Sequence, residues 1–381
     1  MDGARAEKGA AKRHVARVVA VAMTMATVAA SCSSTAGSTR STSAGNGAGG
    51  GPLESLLSRM PTTVDFNGAQ YAFVLGDVDA AVEASGFTRP AAATATDDEI
   101  AKWRLQLAAL GGTEPQPSVG FTLPGTLSSA TDRPVAAASA LGWSVLDIHS
   151  FIWDLWGTLT VLDVDASPQA LTAAVGEPTD DVWAIGDEGT SFRWSLQQPA
   201  LTSVRMSLHD GLLACAGSDA PVRAVLAGGA TLADDPSFVE VTRSLDSTGA
   251  YYAVVLRPNR FSIDAFVRMN PRASQAKIDE RLQQLVPNTF DALGIGYSVR
   301  HGERVTTFVY HHNDAAAAAA NAPVIEDLLR NGLSIKGNRP FSDSFTVESA
   351  VATGNLVIVT VTGNVRTVSL VSNVENMTVS K

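Results

Sequence analysis

The sequence predicts an α+β fold: two related units of antiparallel sheet with packed helices, behind a signal peptide and a flexible tether. Strand-like runs meet at tight turns, at Asp210-Gly211, His301-Gly302 and Gly354-Asn355, and a hairpin joins its strands antiparallel. Capped helices stand between the hairpins instead of following every strand, which argues against a doubly wound parallel sheet. The body beyond the tether exceeds the size at which one core usually divides, so two domains are expected, 53–247 and 248–381.

The first residues read as an export signal. Lys8, Lys12, Arg13 and Arg17 make a positive n-region, and Val18 to Ala30 an apolar h-region of the length a signal uses. A spanning helix needs about 20 apolar residues, more than this run supplies. Small residues at Ala29, Ala30 and Ser31 precede Cys32. The stretch resembles the lipobox of bacterial lipoproteins, departing from it at Ala29, where that family more often has Leu. The resemblance implies a signal peptide over 1–31, cleavage before Cys32, and lipidation of its thiol with a diacylglyceryl group and palmitate-type chains. It places the protein at the extracytoplasmic face of the cell membrane. The alternative is plain secretion, with cleavage at a neighbouring small residue and Cys32 unmodified. Ser33 to Gly51 is nearly all Ser, Thr, Gly, Ala and Asn, with Arg40 its only charge. The segment 32–52 is therefore a coil, reaching about 25 Å at ~5–6 Å × √n.

The whole chain has 28 basic and 38 acidic residues; the five and two that precede Cys32 leave 23 and 36, a net charge of −13. An acidic body is repelled by an anionic membrane, so anchoring falls to the lipid. Nucleic acid is not expected as a partner, since phosphate recognition wants basic stripes. With Cys32 acylated, Cys215 has no partner for a disulfide and reads as a small core residue.

Along the body, Tyr71 to Leu75 is a strand, and Asp77-Val78-Asp79 opens a helix that Gly86 stops. Ile100, Trp103, Leu107 and Leu110 recur at helical spacing within Asp97 to Leu110. Thr158 to Val164 is a strand, and Ser167-Pro168 supplies the N-cap and first residue of a helix ended by Gly176. Phe192 to Leu196, Val204 to Leu208 and Leu212 to Ala216 alternate as strands. Pro221 follows the cap of one helix and Asp234-Asp235-Pro236 starts the next, with Phe238, Val241 and Leu245 on one face. From Gly249 the grammar begins again: strand Tyr251 to Leu256, helices over Asp264 to Met269 and Ser274 to Val286, then a hairpin of Ala292 to Val299 with Val305 to Tyr310. Asp314 caps an Ala-rich helix in which Pro323 makes a kink or starts the second half. Phe345 to Ala352, Leu356 to Val361 and Val365 to Val371 finish the sheet. Gly294 and Gly296, inside a strand, mark a bulge or a close approach.

The run Leu208-His209-Asp210-Gly211, then Ser218-Asp219, Val222-Arg223-Ala224-Val225-Leu226 and Asp234-Asp235-Pro236-Ser237-Phe238, resembles a pattern of uncharacterised bacterial exported proteins with tandem α+β units. Tyr71 to Asp79 and Tyr310 to Gly332 are similar to uncharacterised actinobacterial lipoproteins. The likeness spans most of Leu53 to Val374 and rests on turns, caps and helix starts. It implies the fold and brings no catalytic residue with it.

Chemical motifs compete with plainer readings. His311-His312 with Asp314 suggests a metal fragment, but neighbours on a strand point to opposite faces and Asp314 serves as a cap. His209 and His301 sit in turns, and His149, between Asp147 and Trp153, in an apolar setting as a structural residue. Ser274-Gln275-Ala276-Lys277 matches the Ser-x-x-Lys of penicillin-binding enzymes, without that family's other motifs in order. Asp77, Asp79, Asp163 and Asp165 lie at strand-to-helix junctions and serve as caps. Trp143, Trp153 and Trp156 form an apolar anchor for a core or a cleft. No catalytic, cofactor or metal residue is assigned; Cys32 is the assigned modification site.

The reading that follows is a lipid-anchored, non-enzymatic binding or scaffold protein of the cell envelope. Its partners are the membrane, through the lipid on Cys32, and an envelope protein or apolar ligand. Two readings stand beside it: a hydrolase of envelope polymers using Ser274 and Lys277, and a carrier of an apolar ligand. A cavity between sheet and helices favours the carrier, a pocket uniting Ser, Lys or His the enzyme, and a closed core the scaffold.

Overall fold

The computed structural model describes residues 50–64, 72–108, 119–260, 274–276, 279, 289–333, 339–363, 365 and 379–380. Cys32, Lys277, the helix expected over Asp264 to Met269, most of that over Ser274 to Val286, and the last strand beyond Val365 lie outside them. Residues 48–381 form one compact unit.

The architecture is α+β, built on one eleven-stranded antiparallel sheet. Its first-half strands are β1 (Ala72–Asp77), β2 (Ile148–Asp154), β3 (Leu159–Val164), β4 (Trp183–Gly186), β5 (Ser203–His209) and β6 (Leu212–Ala216). The second half supplies β7 (Tyr252–Leu256), then, after the short β8 (Asn259–Arg260), β9 (Ala292–Arg300), β10 (Glu303–His311), β11 (Phe345–Thr353) and β12 (Leu356–Gly363). β8 pairs in parallel with β13 (Val379–Ser380), apart from the main sheet.

β1 and β7 lie side by side in the middle, with Val74 opposite Val254. Outward from β1 the order is β2, β3, β6, β5; outward from β7 it is β9, β10, β12, β11. Each half therefore lays its strands down in one order, with β4 added at an edge. The halves share a single sheet instead of holding one each, and near residue 248 the chain only turns from a helix back into it. Separate sheets would leave β1 and β7 as open edges with apolar side chains; pairing them closes both.

Two layers of helix cover the sheet. α1 (Pro52–Leu57), α7 (Asp219–Ala227) and α8 (Pro236–Ser247) pack on one face. On the other lie α2 (Val78–Ser85), α3 (Asp97–Ala108), α4 (Ser128–Asp132), α5 (Pro134–Leu141), α6 (Pro168–Val175) and α9 (Ala315–Asn331). β1 shows the consequence of a period of two: Phe73 and Leu75 enter the first core, Ala72 and Val74 the second. Phe238 of α8 meets Phe73 edge-on, ring centroids 6.2 Å apart. Helices start where the caps predict: Asp77 accepts from the Ala80 amide (2.8 Å), Ser167 from Ala170 (3.1 Å) and Asp314 from Ala317 (2.8 Å). α9 continues through Pro323.

The register of β9 against β10 is unbroken, so Gly294 and Gly296 mark a close approach and no bulge. A Cβ at Gly294 would stand 2.3 Å from Val241 Cγ1, and one at Gly296 2.9 Å from Leu245 Cδ2. Phe192 to Leu196 is not a strand. β4 occupies the ladder beside β5, from Trp183 opposite Met206 to Gly186 opposite Ser203. Only Arg193 still reaches it, exchanging backbone bonds with Ser203 at 2.7 Å.

The chain leaving the tether is clamped at once. Asp246 of α8 accepts from the Leu53 and Glu54 amides of α1, both at 2.9 Å. Arg243 pairs with Glu54 at 2.8 Å. A side chain at Gly51 would meet the Asp246 carboxylate 2.3 Å away, so the tether ends on a glycine for lack of space.

Candidate functional site

Three adjoining depressions surround α4. α4 is short because Pro134 begins the next helix directly behind it, and the residue before a proline is held out of the helical region. The first depression, about 340 Å³, lies between α3 and residues 121–123. Ala101, Leu105, Leu107, Ala108, Phe121 and Leu123 make it apolar, while Arg104 and Thr122 add polar groups. Arg104 donates to the Thr131 carbonyl (2.7 Å), and burial holds its guanidinium below the ordinary arginine value. Leu105 is 72% exposed.

The second and third depressions, about 560 and 290 Å³, share Ser129, Asp132 and Arg193 and so form one cleft. Trp153, Trp156 and Phe192 line its larger part, Trp194 and Leu196 its smaller. The tight β2–β3 turn presents Trp156. Its last strand residue, Asp154, is buried and accepts from the amides of Leu159 (2.6 Å) and Trp156 (3.1 Å). Burial raises the Asp154 carboxyl above its ordinary value, although these donors work against the shift. Held this way, Trp156 remains 47% exposed. Two hydroxyls of the cleft are committed: Thr126 bonds Thr160 (2.6 Å), and Ser129 accepts from the Trp194 amide (3.0 Å). Asp132 and Arg193 are exposed, and neither side chain makes a hydrogen bond or ion pair among the described residues.

The residues singled out in the sequence lie elsewhere, except for two tryptophans. Trp143 and Trp153 join the core, Trp143 Nε1 facing Met206 Sδ at 3.4 Å, whereas Trp156 faces solvent. His149 is in an acidic setting, not an apolar one, because α2 and the residues after β3 bring Asp79 (2.8 Å) and Asp165 (3.1 Å) to its two ring nitrogens. Arg89 joins Asp79 at 2.6 Å, and Arg59 approaches Asp163 at 3.4 Å. His311 faces Glu240 (3.3 Å) and Asp291 (3.4 Å), while His312 turns to Asn321 (2.7 Å) inside the core. Burial lowers His312 below its ordinary value. His209 and His301 are exposed in their turns, and Ser274 is exposed. Cys215 is buried, which pushes its thiol far up and leaves it unreactive.

The His149 cluster gives a pH prediction. Burial by itself would lower the imidazole, but the hydrogen bonds and charges of Asp79 and Asp165 outweigh it and raise it above 6.5. A raised histidine stabilises the fold fully below its unfolded value, and that contribution is lost as pH rises through the folded one. Urea midpoints of the wild type should therefore fall as pH rises above 6.5, with a flatter profile in His149→Gln. Parallel profiles would remove the cluster from the pH dependence.

Sequence reasoning passed over Asp132, Arg193 and Trp194. Their signal is present in part: two short loops each carry a tryptophan, at Trp156-Gly157 and at Arg193-Trp194, the second within the run Phe192 to Leu196 whose alternation predicts a strand.

No model of a known protein family matches the chain, and no curated protein does. Two solved structures, crystal forms I and IV of TP0453, are similar at 10% and 12% identity. The matches cover 86% and 85% of this chain and 99% and 98% of theirs, each with a TM-score of 0.31. At that level the likeness carries no argument about this chain.

Proposed function

We propose that the protein is a lipid-anchored, extracytoplasmic, non-enzymatic binding protein of the cell envelope, akin to the uncharacterised actinobacterial lipoproteins its sequence resembles. The signal, Cys32 and the Ser/Gly tether support the location. The observation that carries the binding role is the cleft at α4, where an exposed indole stands with an acid and a base whose side chains make no hydrogen bond or ion pair among the described residues. Pockets with a few uncommitted polar groups on an apolar wall are the usual places of ligand binding. Binding fits better than hydrolysis. Cleavage of a glycosidic polymer ordinarily uses two facing carboxylates, and Asp132 is the only one among the described lining residues. The candidate Ser274 is exposed and lies outside the cleft. The apolar depression under α3 favours a second reading, the carrier of an apolar ligand.

The location is tested on intact cells. Added protease should remove the body without lysis, because the coil beyond Cys32 lies outside the membrane. Protection until the cells are broken would refute an extracytoplasmic protein.

A further inference from the structure

We infer that the cleft shared by the second and third depressions is a binding site for a neutral oligosaccharide. The inference rests on the binding role proposed above and names its ligand class. Of the six tryptophans in the chain, three line this cleft: Trp153, Trp156 and Trp194. A sugar ring has flat patches of C–H on its faces and hydroxyls around its edge. It is recognised by indole faces together with side chains that offer paired donors and acceptors. Trp156 supplies an indole left 47% exposed, so part of its surface is open to a ligand.

The polar groups match as well. Asp132 offers two acceptor oxygens and Arg193 a fork of donors, each suited to a pair of neighbouring hydroxyls. Gln197 and Gln198, exposed at the far end, add amides that donate and accept. Trp153 contributes an independent observation. It lines the cleft and is only 8% exposed, and its Nε1–H is buried without a hydrogen-bond partner among the described residues. A buried donor left unpaired is unfavourable, which marks this wall of the cleft as imperfectly packed.

The lining also selects against other ligands. Asp132, whose side chain makes no hydrogen bond or ion pair among the described residues, would be desolvated by an acyl chain with no hydrogen bond in return. A mature chain of net charge −13 disfavours an acidic polysaccharide at long range, while the lining itself sets Arg133 and Arg193 against Asp132, so the acidic sugar is a separate arm of the test.

The test uses the full chain, purified from membranes in a detergent without a sugar headgroup. Tryptophan emission is titrated with short oligosaccharides of a linear α-glucan, a β-glucan, a mannan and chitin. A pectic oligosaccharide serves as the acidic counterpart, and phosphatidylglycerol vesicles as the lipid one. At least one neutral sugar should give a saturable change below about 10 mM, weakened at least tenfold by Trp156→Ala and also by Asp132→Asn. Val351→Ser, at the opposite edge of the sheet, should bind as the wild type does. Circular dichroism of Trp156→Ala should match the wild type, since the residue lies on the surface. The assignment is overturned if no neutral sugar saturates, if Trp156→Ala binds equally well, or if only vesicles or the acidic sugar change the emission. Protease access is read on cells and does not enter this titration, so either idea can fail without the other.

Discussion

Replacing Cys32 with Ser should move the protein from the membrane fraction to the medium or leave it as uncleaved precursor. The lipidating step needs a thiol, and serine removes that nucleophile while keeping the residue's size. Two or three acyl chains give stable anchoring, whereas a single chain binds marginally and none leaves only the body's own attraction. That attraction is adverse: with 36 acidic against 23 basic residues after Cys32, the body is repelled by anionic headgroups. No described helix is long and apolar enough to hold it by crossing. The redistribution should exceed about tenfold, as each buried methylene contributes ~0.8 kcal/mol. Cell fractionation with metabolic labelling by an alkyne palmitate reads both effects. Equal membrane retention in Cys32→Ser, or a mature wild-type N-terminus at another residue without lipid, would end the lipoprotein reading.

The second large effect concerns the fold. Gly294→Ala should destabilise the body by about 1–3 kcal/mol, the ordinary cost of overpacking a core. The new methyl would stand 2.3 Å from Val241 Cγ1 and 2.9 Å from Leu245 Cδ1, both on fully buried side chains of α8. α8 cannot easily withdraw. Phe238 holds it against Phe73, and Asp246 ties it to the start of α1. Val241→Ala alone should also destabilise, by loss of buried methyls. Together the two changes should cost less than their sum, since the smaller residue vacates the space the new methyl enters; a coupling of about 1 kcal/mol is expected. Urea midpoints at constant slope measure the cycle. Strict additivity would mean that the glycine serves some purpose other than helix approach.

Much of the fold was legible because its signals are local. The turns at Asp210-Gly211 and His301-Gly302 adopt positive φ at both residues, as tight hairpins demand, and caps such as Asp77 and Ser167 bond amides three residues on. The repeat was also partly written in the chain: Tyr71-Ala72-Phe73-Val74-Leu75 and Tyr252-Ala253-Val254-Val255-Leu256 differ at one position. These are the central strands β1 and β7, though Tyr71 itself lies outside the described residues. The strand β2 gave a weak signal because its second and third residues are His149 and Ser150, whose polar partners come from other segments.

By itself the sequence determined the class of fold and most hairpins and helix starts, all of which depend on neighbours within a few residues. Tertiary structure alone decided that the halves fuse through β1 and β7, because edge pairing depends on which surfaces meet and not on local pattern. It alone chose between bulge and close approach at Gly294, since the choice lies with Val241 on another element. It alone assembled the cleft, drawing Asp132, Trp156 and Arg193 from three segments that no spacing rule connects. Secondary structure is encoded in short-range geometry; a site made of loops is encoded in how the core holds them together.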